Sequence, residues 1–255
     1  MRHKERATFP STTRVGLIQA LDAMQTLADA LGLLKTSLCQ SVDIGGLFAR
    51  NATAHKWKAP FRSLSLREGV AWRTQDLLSQ SLLLHESKNA LGARILLRSA
   101  LESVAVLVYL NQLTRTVLAG TLGFHEYSDK TAILLLGSRD KSTDHVAVNI
   151  MTVLQKCEAR YPGIEALYAG LCESAHPNYE GVCTGYSKVD HANYITTFSN
   201  RWEAVHAHGH PDLIVLCLKV LHVEYNDEWA ESFEALESWI AENDAMLELT
   251  KSGDV

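Results

Sequence analysis

The sequence predicts an all-α fold, a single multi-helix bundle of about seven to nine helices, with a small hairpin or loop near residues 178–199. Three observations predict it. Apolar residues recur at spacings of three and four along most of the chain. Residues 90–110, ALGARILLRSALESVAVLVYL, are apolar almost all round, the mark of a helix at the centre of a core. There are only five prolines, no internal repeat and no Gly-, Ser- or Pro-rich linker to cut the chain, so residues 1–255 read as one domain.

In chain order, Ser11–Thr12–Thr13 supplies a helix start, and Leu17, Leu21, Met24, Ala28, Leu31 and Leu34 mark one face of the first helix. Gly45–Gly46 interrupts, and residues 45–65 read as irregular with one short helical turn. A helix follows over 66–85, Lys88–Asn89 breaks it, and the apolar helix runs to about Asn111. Helices are predicted over 122–136 and 146–159, the first ended by Gly137 and the second preceded by Ser142, Thr143 and Asp144 as capping candidates. A short helix over 163–175 stops at His176–Pro177. Glycines, aromatics and β-branched residues over 178–199 suit a loop or hairpin. The apolar run 213–225 reads as a buried helix, and a last helix over 226–250 lines one face with Trp229, Phe233, Leu236, Ile240 and Leu247.

Composition bounds the class. Hydrophobic residues make up 47% and charged residues 21%, which excludes a disordered chain. The longest apolar run is broken by Arg98 and Glu102, so no membrane span is expected. The basic N-terminus is followed by Asp22, too early for a signal-peptide core, and the five cysteines lack a C-x-x-C pair. Both features predict a cytoplasmic protein with reduced thiols. Net charge is −5, but the charge is lopsided. Residues 50–73 carry six basic side chains against Glu68, whereas residues 224–254 carry ten acidic ones against Lys251. Such ends attract phosphate and protein partners respectively, or neutralise each other within the chain or across a dimer.

Candidate chemistry begins at RNATAH, residues 50–55. Metal-independent RNA cleavage needs a group to move the 2′-hydroxyl proton and a fixed cation for the phosphate, roles that histidine and arginine fill at neutral pH. Positions i and i+5 diverge by ~140° on a regular helix, so Arg50 and His55 converge only around a turn or a helix start. Arg, a polar residue, a few variable positions and His resemble the catalytic motif of the HEPN superfamily of helical domains, many of them ribonucleases of toxin–antitoxin and antiphage systems. The resemblance implies Arg50 holding phosphate, Asn51 supporting it and His55 acting as general acid or base in the cleft of a homodimer. Lys56 and Lys58 add charge, and Trp57 and Phe61 are available to stack on RNA bases.

A rival constellation lies in ARILLRSALE, where Arg94, Arg98 and Glu102 share one stripe of the apolar helix. Charges on a core helix are paired or open onto a cleft, because unpaired burial is costly. In LYAGLCESAHPN, Tyr168, Cys172 and His176 repeat the four-residue spacing. The LLRS-L-E helix followed by Y-x-x-L…H looks like a group of bacterial helical proteins related in shape to HEPN domains, over roughly residues 65–180. That resemblance implies Arg98, Glu102, Tyr168 and His176 facing one another in a polar pocket. The plainer reading of the same residues is a buried Arg98–Glu102 pair with His176 capping a helix end.

Other patterns are less specific. Glu173/His176 and Glu203/His206 have di-iron spacing, and Cys172, His176 and Cys183 form three-quarters of a zinc site, with Cys157 or His191 as a fourth ligand. His206, His208 and His210 would suit a metal if extended, and read more simply as an exposed turn before the helix at Leu213. No nucleotide-binding or hydrolase signature is present. The expectation is therefore no metal and no cofactor. Two functions stand side by side: a metal-independent ribonuclease, or a non-catalytic interaction and dimerisation module whose acidic final helix meets a protein partner.

Overall fold

The computed structural model describes residues 26–251, so the start at Ser11–Thr13 and the first part of the first helix lie outside the described residues. The fold is all-α with one two-stranded hairpin. Helix α1 (Leu27–Ser37) is followed by two short helices, α2 (Ile44–Arg50) and α3 (Ala52–His55). Two 29-residue helices, α4 (Lys58–Glu86) and α5 (Ala90–Leu118), form the frame, each about 43 Å long at the usual rise. Then come α6 (Phe124–Leu136), α7 (Ile150–Glu158) and α8 (Ile164–Ala175). A π turn (Tyr179–Thr184) leads into strands β1 (Ser187–Asp190) and β2 (Ile195–Phe198). The chain closes with α9 (Trp202–His206), α10 (His210–His222), a π segment (Val223–Glu228) and α11 (Trp229–Leu249). Eleven α-helices occur among the described residues, more than the pattern predicts, because α2, α3 and α9 are too short to show a period.

Helix α5 is central, as its composition predicts: Leu97, Val104, Ala105, Leu107, Val108 and Leu110 are fully buried. It packs against α4, joined to it by a tight turn in which Lys88 adopts φ 61°. The larger core draws on α1, α4, α5, α7, α8 and α10, with Tyr225 of the π segment and Trp229 and Phe233 at the start of α11. A second core at the other end unites Trp57, Leu113, Val117, Phe124 and Tyr127 with Leu236, Ile240 and Leu247 of α11. No helix among the described residues is long and apolar enough to cross a membrane.

Helix α5 runs on to Leu118, past its expected end at Asn111, and three other boundaries differ from expectation for physical reasons. Helix α4 starts at Lys58, eight residues early, because Pro60 occupies the first turn, where its missing N–H would have no intrahelical partner. Helix α7 starts at Ile150, capped by the Asn149 side chain rather than by residues 142–144. Asn226–Asp227 start no new helix. They lie in the π segment that carries α10 into α11 without a break, from His210 to Leu249.

Candidate functional site

The residues of RNATAH do converge, and the point of convergence is a carboxylate. Asn51 ends α2 and caps α3, its Oδ1 accepting from the Ala54 N–H at 3.0 Å. That cap supplies the turn that brings Arg50 and His55 to one side. His55 Nε2 lies 2.6 Å from Glu237 Oε1 on α11, and Arg50 Nη2 donates to the same oxygen. Asn51 Nδ2 reaches the Glu237 carbonyl at 3.4 Å. The His55 side chain is 2% exposed, between the rings of Phe48 and Phe233, whereas that of Arg50 is 48% exposed at the rim.

The basic stretch continues against the same partner helix, α11. Lys56 pairs with Asp244 (2.7 Å) and Glu248 (2.8 Å), and Trp57 Nε1 donates to Asp244 (2.9 Å). The hydrogen bonds from Lys56 and Trp57 lower the Asp244 pKa, and those to Asp244 and Glu248 raise that of Lys56. Of the two fates open to the opposite charges, neutralisation within the chain is therefore the one seen at these residues. Lys58 opens α4 on its exposed side. Trp57 is buried edge-on against Phe124. Phe61 is exposed.

The second constellation forms a ladder between α5 and α8. Arg98 Nη2 donates to Tyr168 Oη (2.7 Å), Tyr168 Oη donates to Glu102 Oε1 (2.7 Å), and the Arg98–Glu102 ion pair spans 3.2 Å. Arg98 Nε meets Cys172 Sγ at 3.1 Å. Burial, then the hydrogen bond to Glu102, raises the Tyr168 pKa, so the phenol stays protonated. One turn earlier on α5, Arg94 Nε donates to Ser174 Oγ (2.7 Å) and Nη2 to the Gly170 carbonyl (3.0 Å). His176 is not part of the ladder. It is the exposed C-cap of α8, and its side chain makes no hydrogen bond to Arg98, Glu102 or Tyr168.

A third cluster escaped the sequence reading. The HAHGH run folds inward: only His208 is exposed, His206 is partly buried and His210 is 2% exposed. Gly209, at φ 78°, makes the turn that inserts His210. Ser81 Oγ donates to the Ala93 carbonyl (2.8 Å) and lies 2.9 Å from His210 Nε2, so the imidazole donates from Nε2 and its Nδ1 is bare. That nitrogen is buried without a hydrogen-bond partner, as is Nδ1 of His85, whose ring stacks on His210 at 5.1 Å. Burial, then the nearby His85 and Arg94, pulls the His210 pKa down to about 4. His206 stacks on Trp202 and lies 3.6 Å from Glu180, which accepts from Ser174 Oγ at 2.7 Å. The i, i+4 spacing of Ser81 and His85 on one face of α4 was the available signal.

No group of three His, Cys, Asp or Glu side chains among the described residues is placed to hold a metal ion. A cavity of about 320 Å³ opens at the start of α5, lined by Leu84, Asn89, Ala90, Gly92, Tyr186 and Asn200 among others; none of the sequence-predicted site residues lines it. Exposed apolar side chains gather instead on the hairpin and the turn before it. Tyr194 is 95% exposed, Phe198 80% and Tyr179 78%, with Val182, Val189 and Ile195 about half exposed.

No protein-family model matches this chain, and neither a curated protein nor a solved structure does.

Proposed function

We propose that the protein works as a non-catalytic interaction module whose working surface is the segment 179–198. The observation that carries this reading is a contrast between two kinds of residue. Arg50, His55, Lys56, Arg94, Arg98 and Glu102 are held by partners within the chain. Tyr179, Tyr194 and Phe198 stand in solvent, close together in sequence and next to two short strands with open edges. Exposed aromatic side chains beside open strand edges are a feature that proteins otherwise suppress.

A second reading is metal-independent RNA cleavage, the activity implied by the HEPN-like resemblance. It is favoured by one relationship: with Glu237 accepting from His55 Nε2–H, Nδ1 is the nitrogen left to move a proton, and Arg50 shares the same Glu237 oxygen from the rim. The test compares purified wild-type chain with Tyr194→Ser/Phe198→Ser and with Arg50→Ala and His55→Ala. The interaction reading expects no cleavage of single-stranded RNA and an association that the hairpin variant loses while keeping its melting temperature. RNA cleavage abolished in folded Arg50→Ala or His55→Ala overturns it.

A further inference from the structure

The hairpin is rooted but uncovered. At its base Gly185 lies so close to the buried Trp202 ring that a Cβ there would sit 2.6 Å from it. Arg201 donates to the carbonyls of Thr184 and Ser187. Beyond that root the strands stand clear of the core, with every residue from 188 to 200 exposed. A two-stranded ribbon without a packed face is marginal in water, so a hairpin held out in this way calls for a cover.

Its two edges differ. The β1 edge carries Lys188 and Asp190, and Arg201 already occupies the Ser187 carbonyl. Charged side chains and filled carbonyls are how proteins block a strand edge. The β2 edge, ITTF, carries no charge, no proline and no bulge. Register then decides which groups it offers. The Ser199 N–H bonds the Tyr186 carbonyl, and residues 187↔198 through 190↔195 pair without a break. By the two-residue alternation of an antiparallel ladder, the main-chain N–H and C=O of Thr196 and Phe198 point away from β1.

We propose that the occupant of this edge is a second copy of the chain, β2 pairing antiparallel with β2 about a two-fold axis at Thr196 to give a four-stranded sheet across the dimer. The inference rests on the interaction reading above. Charge favours this occupant, because a neutral edge selects a neutral strand, and β2 itself is one. The register is also self-complementary, as a two-fold interface requires. Thr196 meets Thr196 with both outward hydrogen bonds satisfied, Ile195 meets Thr197, and Phe198 meets the Tyr194 of the other copy. The two most exposed of the hairpin's large apolar side chains are thereby covered by each other, twice. Lys188 and Asp190 end on the outer strands, away from the axis.

The experiment is sedimentation equilibrium of the full chain from about 5 to about 200 μM, the range in which a small interface associates. Wild type is expected to shift from one chain to two. Thr196→Pro removes an N–H that β1 does not use, and Phe198→Lys places a charge on the edge; each is expected to weaken dimerisation at least about tenfold while circular dichroism stays unchanged. As a positive control, Thr196→Cys is expected to form a disulfide-linked dimer on mild oxidation that wild type does not, since directly opposed hydrogen-bonded residues sit about 5.5 Å apart. A wild-type monomer across the range, or a dimer indifferent to both variants, overturns the proposal. If the chain is monomeric yet holds another protein through Tyr194 and Phe198, the second-copy inference fails and the interaction reading stands. If no association depends on the hairpin, both fail.

Discussion

His55 and Glu237 lie 182 residues apart in sequence and 2.6 Å apart in space, and that contact fastens the segment before α4 to the last helix. Arg50 shares the same carboxylate oxygen from the solvent side. Removing the acceptor therefore costs more than removing the exposed donor. Glu237→Ala, which strands a buried imidazole, is expected to lower stability by about 2 kcal/mol. Arg50→Ala is expected to cost under about 1 kcal/mol, the usual size for a pair open to solvent. Urea unfolding with an unchanged m-value measures both, and equal losses would contradict the asymmetry.

In the ladder between α5 and α8 the bridging group is the Tyr168 hydroxyl, which accepts from Arg98 and donates to Glu102. Tyr168→Phe keeps the ring and is expected to cost about 1–2 kcal/mol, because Tyr168 is buried. Glu102→Gln keeps an acceptor at a partly exposed position and is expected to cost less. Thermal unfolding ranks the two, and the reverse order would show that the ion pair, not the phenol, holds the helices together.

The His210 cluster predicts a pH dependence. Its folded pKa is depressed to about 4, against about 6.5 when unfolded, so below pH 6.5 the unfolded chain takes a proton that the folded chain refuses. Stability from this group is complete above pH 6.5 and is lost as pH falls towards 4, on the order of 3 kcal/mol in all. His206 and His222, also lowered chiefly by burial, act in the same direction. Urea midpoints at pH 7.5, 5.5 and 4.5 should fall steadily, and His210→Gln should flatten the slope. An unchanged slope would place the acid sensitivity elsewhere.

What the sequence disclosed follows from the range of the physics involved. The burial of α5, the face of α11 and the stop at Gly137 depend on neighbours within one or two turns, and all are legible. The stretch 45–65 misread as irregular because Gly45–Gly46 look like breakers, although they sit in the first turn of α2, as Pro60 sits in that of α4, where a helix tolerates them. The contacts among Arg98, Glu102 and Tyr168 are those the spacing suggests, but the partners and placement of the other candidate residues are not. Glu237 answers Arg50 and His55 from the far end of the chain, His176 turns out to solvent, and His210 turns in because of Gly209. None of those three outcomes is set by spacing along one helix.

At the hairpin root, Gly185→Ala is expected to destabilise by about 1–3 kcal/mol, since the new methyl must displace the Trp202 ring. Tryptophan fluorescence and the melting temperature report it together. A neutral outcome would mean that the root, and with it the fixed pose of β2, is looser than the Gly185–Trp202 approach requires.

The π segment at Val223–Glu228 also has a consequence for angular phase. Its i→i+5 closure takes in one residue more than an α turn, which rotates everything beyond it by about 100° around the helix axis. Ile214, Leu218 and Leu221 before it face the larger core, as do Trp229 and Phe233 just after it, while Leu236, Ile240 and Leu247 further on face the smaller one. The extra residue works as a spline between two shafts. One rod of 40 residues thereby serves both cores in turn, and it sets Glu237 and Asp244 at the azimuth where His55 and Lys56 meet them.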